Sequence, residues 1–169
     1  MEGRLELKPA TPADVGLLLA FIRELAEYEK LTHEVVATEE LLRENLFAPR
    51  DGHPKAEAII ARCDGQPAGF ALFFHNFSTF LARPGLYLED LFVRPEFRGR
   101  GVGTAMLTHL ARLAKQRNCG RLEWWVLDWN EPAIEFYKSL GAVPMTDWTV
   151  FRVTGEALDQ LAGRAAPPI

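Results

Sequence analysis

At 169 residues, with 48% hydrophobic and 25% charged side chains, the chain is long enough to bury one core, short for two ordinary domains and too apolar to be disordered. A formal net charge of -4 leaves no basic footprint for nucleic acid. Cys63 and Cys119 are the two cysteines and have no paired spacing, which argues against a disulfide framework or a zinc site and predicts reduced thiols in a cytoplasmic protein. No apolar run has the length of a bilayer span or the form of a leader, so no membrane association is expected.

In chain order, Leu5 to Lys8 alternates like a short strand. Thr11 is an N-cap candidate with Pro12 and Asp14 behind it, and Val15, Leu18, Leu19, Ile22 and Leu25 recur at helical spacing, predicting a helix to about Glu29. A second helix is expected after Thr38, with Leu41, Leu42 and Leu46 as its apolar face. Ala56 to Arg62 and Ala68 to Phe74 flank Asp64-Gly65-Gln66-Pro67 and predict a hairpin. Leu86 to Val93 follows as a strand bounded by Arg94-Pro95. A helix from about Val102 to Arg117 places Met106, Leu107, Leu110, Leu113 and Ala114 on one face. Arg121 to Leu127 is expected as a buried strand. Asn130 caps a helix from Glu131 to Leu140 that stops at Gly141, and Trp148 to Val153 is expected as a closing strand. The alternation of strands and helices over Leu86 to Leu140 predicts an α/β domain with a mixed sheet. One domain over residues 1–163 is expected, with a frayed tail over 164–169.

The chemical signal is Arg98-Gly99-Arg100-Gly101-Val102-Gly103, a basic glycine-rich turn between a strand and a helix. The first N–H groups of a helix lack intrahelical partners, and the dipole adds partial positive charge there, so such a turn is an anion site. The nucleotide patterns do not fit. The Walker sequence ends in Gly-Lys-Ser/Thr, which is absent, and G-x-G-x-x-G fails because Thr104 and Met106 stand where the third glycine is required. By itself the hexapeptide also permits a tight turn with exposed arginines.

Arg98-x-x-Gly101-x-Gly103 resembles the R/Q-x-x-G-x-G/A turn of the GNAT acetyltransferase superfamily. Tyr87 to Val93, Val126 to Lys138, and Arg23 to Leu31 are similar to the diamine (spermidine/spermine) branch of that superfamily, the last especially to its thialysine-acetylating members. The resemblance implies a GNAT-like acyl-CoA N-acyltransferase fold, with a mixed, mostly antiparallel central sheet flanked by helices. It implies acetyl-CoA as donor cosubstrate, held by Leu91, Phe92 and Val93, by Arg98, Gly99, Arg100, Gly101, Val102, Gly103 and Thr104, and by Asn130. It implies Glu89 as the acceptor of the amine proton, Tyr137 as the acid for the departing thiolate, and Tyr28, Glu29, Glu89 and Asp90 on the amine side. It also implies a homodimer.

The chemistry calls for such groups independently. An alkyl ammonium with a pKa of about 10.4 must lose a proton before it attacks a thioester, and a phenol can hydrogen-bond a developing thiolate.

Each of these residues also has a plainer role. Successive strand side chains point to opposite faces, so Glu89 and Asp90 can share a cleft only if a bulge re-aims the strand; otherwise one pairs with a basic residue. Spacing alone puts Tyr137 in the core with Ala133, Phe136 and Leu140, and Asn130 is a sufficient cap. The four histidines share no metal-ligand spacing, so no metal is expected. The expected reaction is acetyl transfer to a primary amine of a small molecule, a polyamine or a lysine-like amine. Its rivals are acetylation of a protein N-terminus or lysine, and a non-catalytic acyl-CoA-binding sensor domain. His75 to Gly85 and Val143 to Trp148 depart from the diamine enzymes, and those regions border the acceptor cleft in that branch.

Overall fold

The computed structural model describes residues 4–164. The chain divides into two compact units, Met1–Trp125 and Val126–Ile169. The expected tail lies outside the described residues beyond Arg164.

The first unit is built on a five-stranded sheet in the order β1-β2-β3-β4-β5, with β1 Leu5–Pro9, β2 Glu57–Cys63, β3 Gln66–Ser78, β4 Arg83–Val93 and β5 Leu122–Trp124. The first three pairings are antiparallel and β4 pairs with β5 in parallel, which is the mixed, mostly antiparallel sheet expected. Asp64 and Gly65 both have positive φ (51° and 81°) and form the two-residue hairpin turn between β2 and β3. Helix α1 (Val15–Glu29) follows a 3-10 turn at Pro12–Asp14, where the Asp14 carboxylate accepts from the Thr11 amide (2.9 Å) and hydroxyl (2.7 Å). Helix α2 (Glu39–Leu46) starts at Thr38, whose hydroxyl accepts from the Leu41 amide at 3.2 Å.

Helices cover both faces of the sheet. Leu18, Phe21 and Leu25 of α1 and Leu46 of α2 form one core with Ala58, Ile60, Phe70 and Phe92. The rings of Phe21 and Phe70 stack at 5.5 Å. Helix α3 (Val102–Gln116) buries Val102, Met106, Leu107, Leu110 and Ala114 and packs against β3, β4 and β5. Strands covered on both faces are continuously apolar rather than alternating, as Ala58 to Ala61 are.

In the second unit, α4 (Glu131–Ser139) is capped by Asn130, whose Oδ1 accepts from the Ala133 amide at 3.4 Å. It ends at Gly141, with φ of 87°. Helix α5 (Gly155–Ala162) was not expected from sequence.

Two expected strands need correction. Arg121 to Leu127 contributes only the half-buried Leu122–Trp124, because β4 changes its bonding pattern one residue past the end of this ladder. Trp148 to Val153 is not a strand. Its alternation specifies a face but no partner edge, and a strand needs a ladder as well as a pattern.

Candidate active site

The site in the first unit begins with an extra residue. Leu72 pairs with Asp90 and Phe73 with Leu88, so Glu89 is a bulge on β4. Before the bulge, the Leu86 amide donates to Arg121 O, immediately ahead of β5, at 2.9 Å; after it, the Arg94 amide donates to Ala68 O on the β3 side at 2.9 Å. Alternate residues of a strand bond to the same neighbour. Even-numbered residues therefore face β5 up to Leu88, and Asp90, Phe92 and Arg94 face β3 beyond it. The parallel ladder stops at Leu88 and Trp124, and Leu91 and Val93 turn their backbone groups towards the edge it vacates. Phe92 sends its ring into the core and its backbone towards β3, so Leu91 and Val93 carry the open edge without it.

That edge leads to the glycine-rich turn. Gly99 and Gly101 are left-handed, with φ of 71° and 77°, and Gly101 is the N-cap of α3. The first bond of the helix is Ala105 N–H to Gly101 O at 2.9 Å, so the amides of Val102, Gly103 and Thr104 precede the helical ladder. A Cβ at Gly99 or Gly101 would meet nothing within 4 Å, so the turn lies open. Its arginines rest on rings. The Arg100 guanidinium lies 5.6 Å from the Phe97 centroid, and that of Arg98 lies 4.7 Å from Tyr28 and 5.9 Å from Phe92. Arg98 also donates its Nε–H to Val93 O at 2.9 Å.

Acidic groups collect beside the bulge. Asp90 is half-buried; burial first, then the charges of Glu89 and Glu29, raises its carboxyl from the ordinary 3.8 to about 7. Desolvation also raises Glu29. Burial and the charges of Glu89, Glu123 and Asp90 push the Tyr87 phenol up to about 12, so it stays protonated across the physiological range. The structure thus brings Glu29, Glu89 and Asp90 together, with Tyr28 in the last turn of α1 against Arg98. Tyr87 and Glu123, neighbours in the β4–β5 register, join this group although the sequence did not single them out. A parallel pairing of distant segments leaves no local signal.

Asn130 and Tyr137 lie in the second unit, on the cap and last turn of α4. Asn130 is 7% exposed, and the half-buried Tyr137 ring packs 5.4 Å from Phe136. Among the described residues no group of three or more His, Cys, Asp and Glu side chains has the arrangement of a metal site, and no helix is long and apolar enough to cross a membrane.

An open strand edge running into a left-handed glycine turn at a helix N-terminus, with carboxylates at the bulge, defines an acyl-CoA N-acyltransferase fold. The model of the acetyltransferase (GNAT) family matches residues 22–142, and the chain belongs to that family. It is 39% identical to the thialysine N-epsilon-acetyltransferase of Bos taurus, with 94% of this chain and 97% of that one covered. It is 34% identical to the L-ornithine N5-acetyltransferase of Arabidopsis thaliana, covering 92% and 86%. Among solved structures, an integron cassette protein from the mobile metagenome of V. cholerae superimposes with a TM-score of 0.78 at 30% identity, over 97% of this chain and 99% of that chain. The protein is an enzyme, an N-acetyltransferase that uses acetyl-CoA and an amine.

The residues present fit that cosubstrate. A Cβ at Gly99 or Gly101 would meet nothing, so the turn has room for a pyrophosphate; the amides of Val102 to Thr104 precede the helical ladder and suit an anion, and the backbone of Leu91 with the Val93 amide, beyond the end of the β4–β5 ladder, would suit an amide-bearing pantetheine arm.

Proposed function

We propose that this enzyme acetylates the primary amine of a small molecule, a polyamine or a lysine-like amine, by direct attack within a ternary complex. The observation that carries this is the acidic group at the bulge: three carboxylates, two with raised affinity for protons, suit a cationic acceptor. The names of the thialysine and ornithine enzymes support the lysine-like end of this class.

The proposed roles are as follows. The Gly99 to Thr104 backbone holds the pyrophosphate, with Arg98 and Arg100 supplying charge at its rim, and Asn130 adds a polar contact to the coenzyme. Leu91 and Val93 orient the pantetheine arm, with the Phe92 ring anchoring their strand in the core. Tyr28, Glu29 and Asp90 attract the ammonium, and Glu89 accepts its proton directly or through water. Acetyl-CoA, when bound, supplies a thioester whose carbonyl the neutral amine attacks and whose sulfur leaves. Tyr137 gives that sulfur a proton as the C–S bond breaks, and the acylated nitrogen sheds its second proton, which returns through solvent to the phenolate; of the two protons the ammonium loses, one passes to Glu89 and one replaces the proton taken by the thiolate. No metal takes part.

The family match runs across the boundary between the two compact units, which supports one N-acetyltransferase domain over residues 1–163. A homodimer is also proposed. Trp148, Val150 and the 90%-exposed Phe151 form an apolar run with a strand pattern and no ladder of their own among the described residues, and a second copy can bury it. A cytoplasmic location accords with the free thiols of Cys63 and Cys119.

The test is free-thiol release from acetyl-CoA across thialysine, ornithine, spermidine and lysine-containing peptides. Acceptor-dependent release with the small amines and none with peptides is expected. Release with peptides alone would transfer the function to protein acetylation, and coenzyme binding without release would favour a sensor.

A further inference from the structure

We propose that Arg98, the residue that opens the donor turn, is a positioning residue for the acceptor. This rests on the amine-acetyltransferase function proposed above and concerns how its amine side is held in place.

The buried face of α1 runs through Val15, Leu18, Leu19, Phe21 and Leu25 and stops at Ala26. Tyr28, at 37% exposure, and Glu29 stand beyond that anchor in the last turn. The helix then breaks at Lys30, left-handed at φ of 61°, whose amide donates towards Ala26 and Glu27. The core reaches this turn through Ala26, on a face that Tyr28 and Glu29 do not share. The Arg98 guanidinium braces the Tyr28 side from outside, 4.7 Å from the ring centroid.

Arg98 is itself held. Its Nε–H is committed to Val93 O at 2.9 Å, its plane also lies 5.9 Å from the Phe92 ring, and its amide donates to Pro95 O at 3.2 Å. One side chain thus joins the end of the donor strand, the start of the glycine turn and the last turn of α1. Glu29 follows Tyr28 directly, and its charge reaches Asp90. The stack consequently sets the distance between the α1 carboxylate and the bulge carboxylates, on which attraction of a cationic amine depends.

This assignment gives the arginine a different task from pyrophosphate binding, and the two tasks separate experimentally. Lysine keeps the charge but not the planar, ring-stacking fork. Arg98→Lys is expected to raise the KM for thialysine by about two- to five-fold, the range of an exposed cation–π contact. Because Arg98 also lends charge to the rim of the coenzyme site, the Kd for CoA can rise too, but the amine KM should rise by the larger factor. Tyr28→Leu should produce the same rise and Tyr28→Phe, which keeps the ring face, should not. The double variant Arg98→Lys/Tyr28→Leu should be no worse than either single change, as for two residues acting through one contact. A weakened Kd for CoA with an unchanged amine KM would overturn the inference and make Arg98 a pyrophosphate ligand only. Additive effects in the double variant would overturn it as well. Wild-type enzyme that binds CoA but acetylates none of thialysine, ornithine and spermidine would overturn the proposed function and this inference with it. Acetylation with a KM indifferent to both positions would overturn the inference alone.

Discussion

Asp90→Asn offers a direct measure of what the bulge costs. The carboxyl of Asp90 is raised from 3.8 to about 7 by burial, then by Glu89 and Glu29. The native state therefore holds this proton more tightly than the unfolded chain does. Between pH 4 and 7 the unfolded chain has lost it and the native protein retains it, so stability falls as pH rises through that window and levels off above 7. The interval corresponds to about 4 kcal/mol at 1.36 kcal/mol per pH unit, and solvent screening at a half-buried site lowers this to roughly 2–4 kcal/mol. Asparagine has the shape of the protonated acid and no charge to desolvate. The variant should match wild type near pH 4 and exceed it progressively up to pH 7, holding the full difference at pH 8. At about 2–4 °C per kcal/mol for a chain of this size, the gain in Tm at pH 8 is on the order of 5–10 °C. Urea unfolding monitored by tryptophan fluorescence at half-unit pH intervals measures the difference. Parallel curves for the two proteins from pH 4 to 8 would refute the raised carboxyl and the acidic cluster built on it. The same variant should lose affinity for a cationic acceptor, so the gain in stability should accompany a raised amine KM.

Gly101→Val puts a branched side chain at φ of 77° and into the open turn. It should lower stability by about 1–2 kcal/mol and weaken CoA binding at least ten-fold by calorimetry. Tyr137→Phe should lower kcat by about 10²-fold or more, with the Kd for CoA unchanged, when single-turnover acetylation is followed. Gly69→Ala drives a Cβ into the Phe92 carbonyl oxygen. Thermal unfolding should show a loss of about 1–3 kcal/mol, because backbone on the strand beside the bulge must move. Arg94→Ala removes hydrogen bonds of 2.6 and 2.8 Å to Glu24 and the stack on Phe21 at 4.8 Å. It should cost roughly 2 kcal/mol in urea unfolding and leave the amine KM near its wild-type value.

What the sequence made legible depended on local chemistry. The Asp64-Gly65 hairpin, the Thr38 and Asn130 caps and the faces of α1 and α3 follow from turn geometry, orphan amides and helical spacing, all of which act over a few residues. The glycine turn belongs with them, since positive φ at Gly99 and Gly101 and a helix start at Val102 are local demands. Pairing over distance was not legible. The three-residue length of β5 depends on where β4 changes its bonding side, and the proximity of Tyr87 to Glu123 depends on a register between segments more than thirty residues apart. The contact of Arg98 with Tyr28 was hidden for the same reason, and an arginine in a phosphate-binding pattern drew a different expectation. At Trp148 to Val153 alternation was present but the partner edge was not.

The bulge explains why two adjacent carboxylates are tolerated in an apolar strand. In a regular strand Glu89 and Asp90 would point to opposite faces, and one would enter a packed core unpaired. With Glu89 as the inserted residue, Asp90 keeps its bond pattern with β3 and Glu89 itself is exposed. The insertion has a second effect that cannot be separated from the first. By exchanging the bonding sides of β4, it ends the ladder with β5 and turns Leu91 and Val93 outward. The proposed donor edge and the proposed acceptor side therefore both trace to one extra residue. Deleting Glu89 should close both at once, extending the β4–β5 ladder while abolishing CoA binding and amine turnover together. Glu89→Ala, which keeps the backbone insertion, should lose turnover and retain CoA. Loss of CoA binding in Glu89→Ala, or its retention in the deletion, would separate the bulge from the donor site.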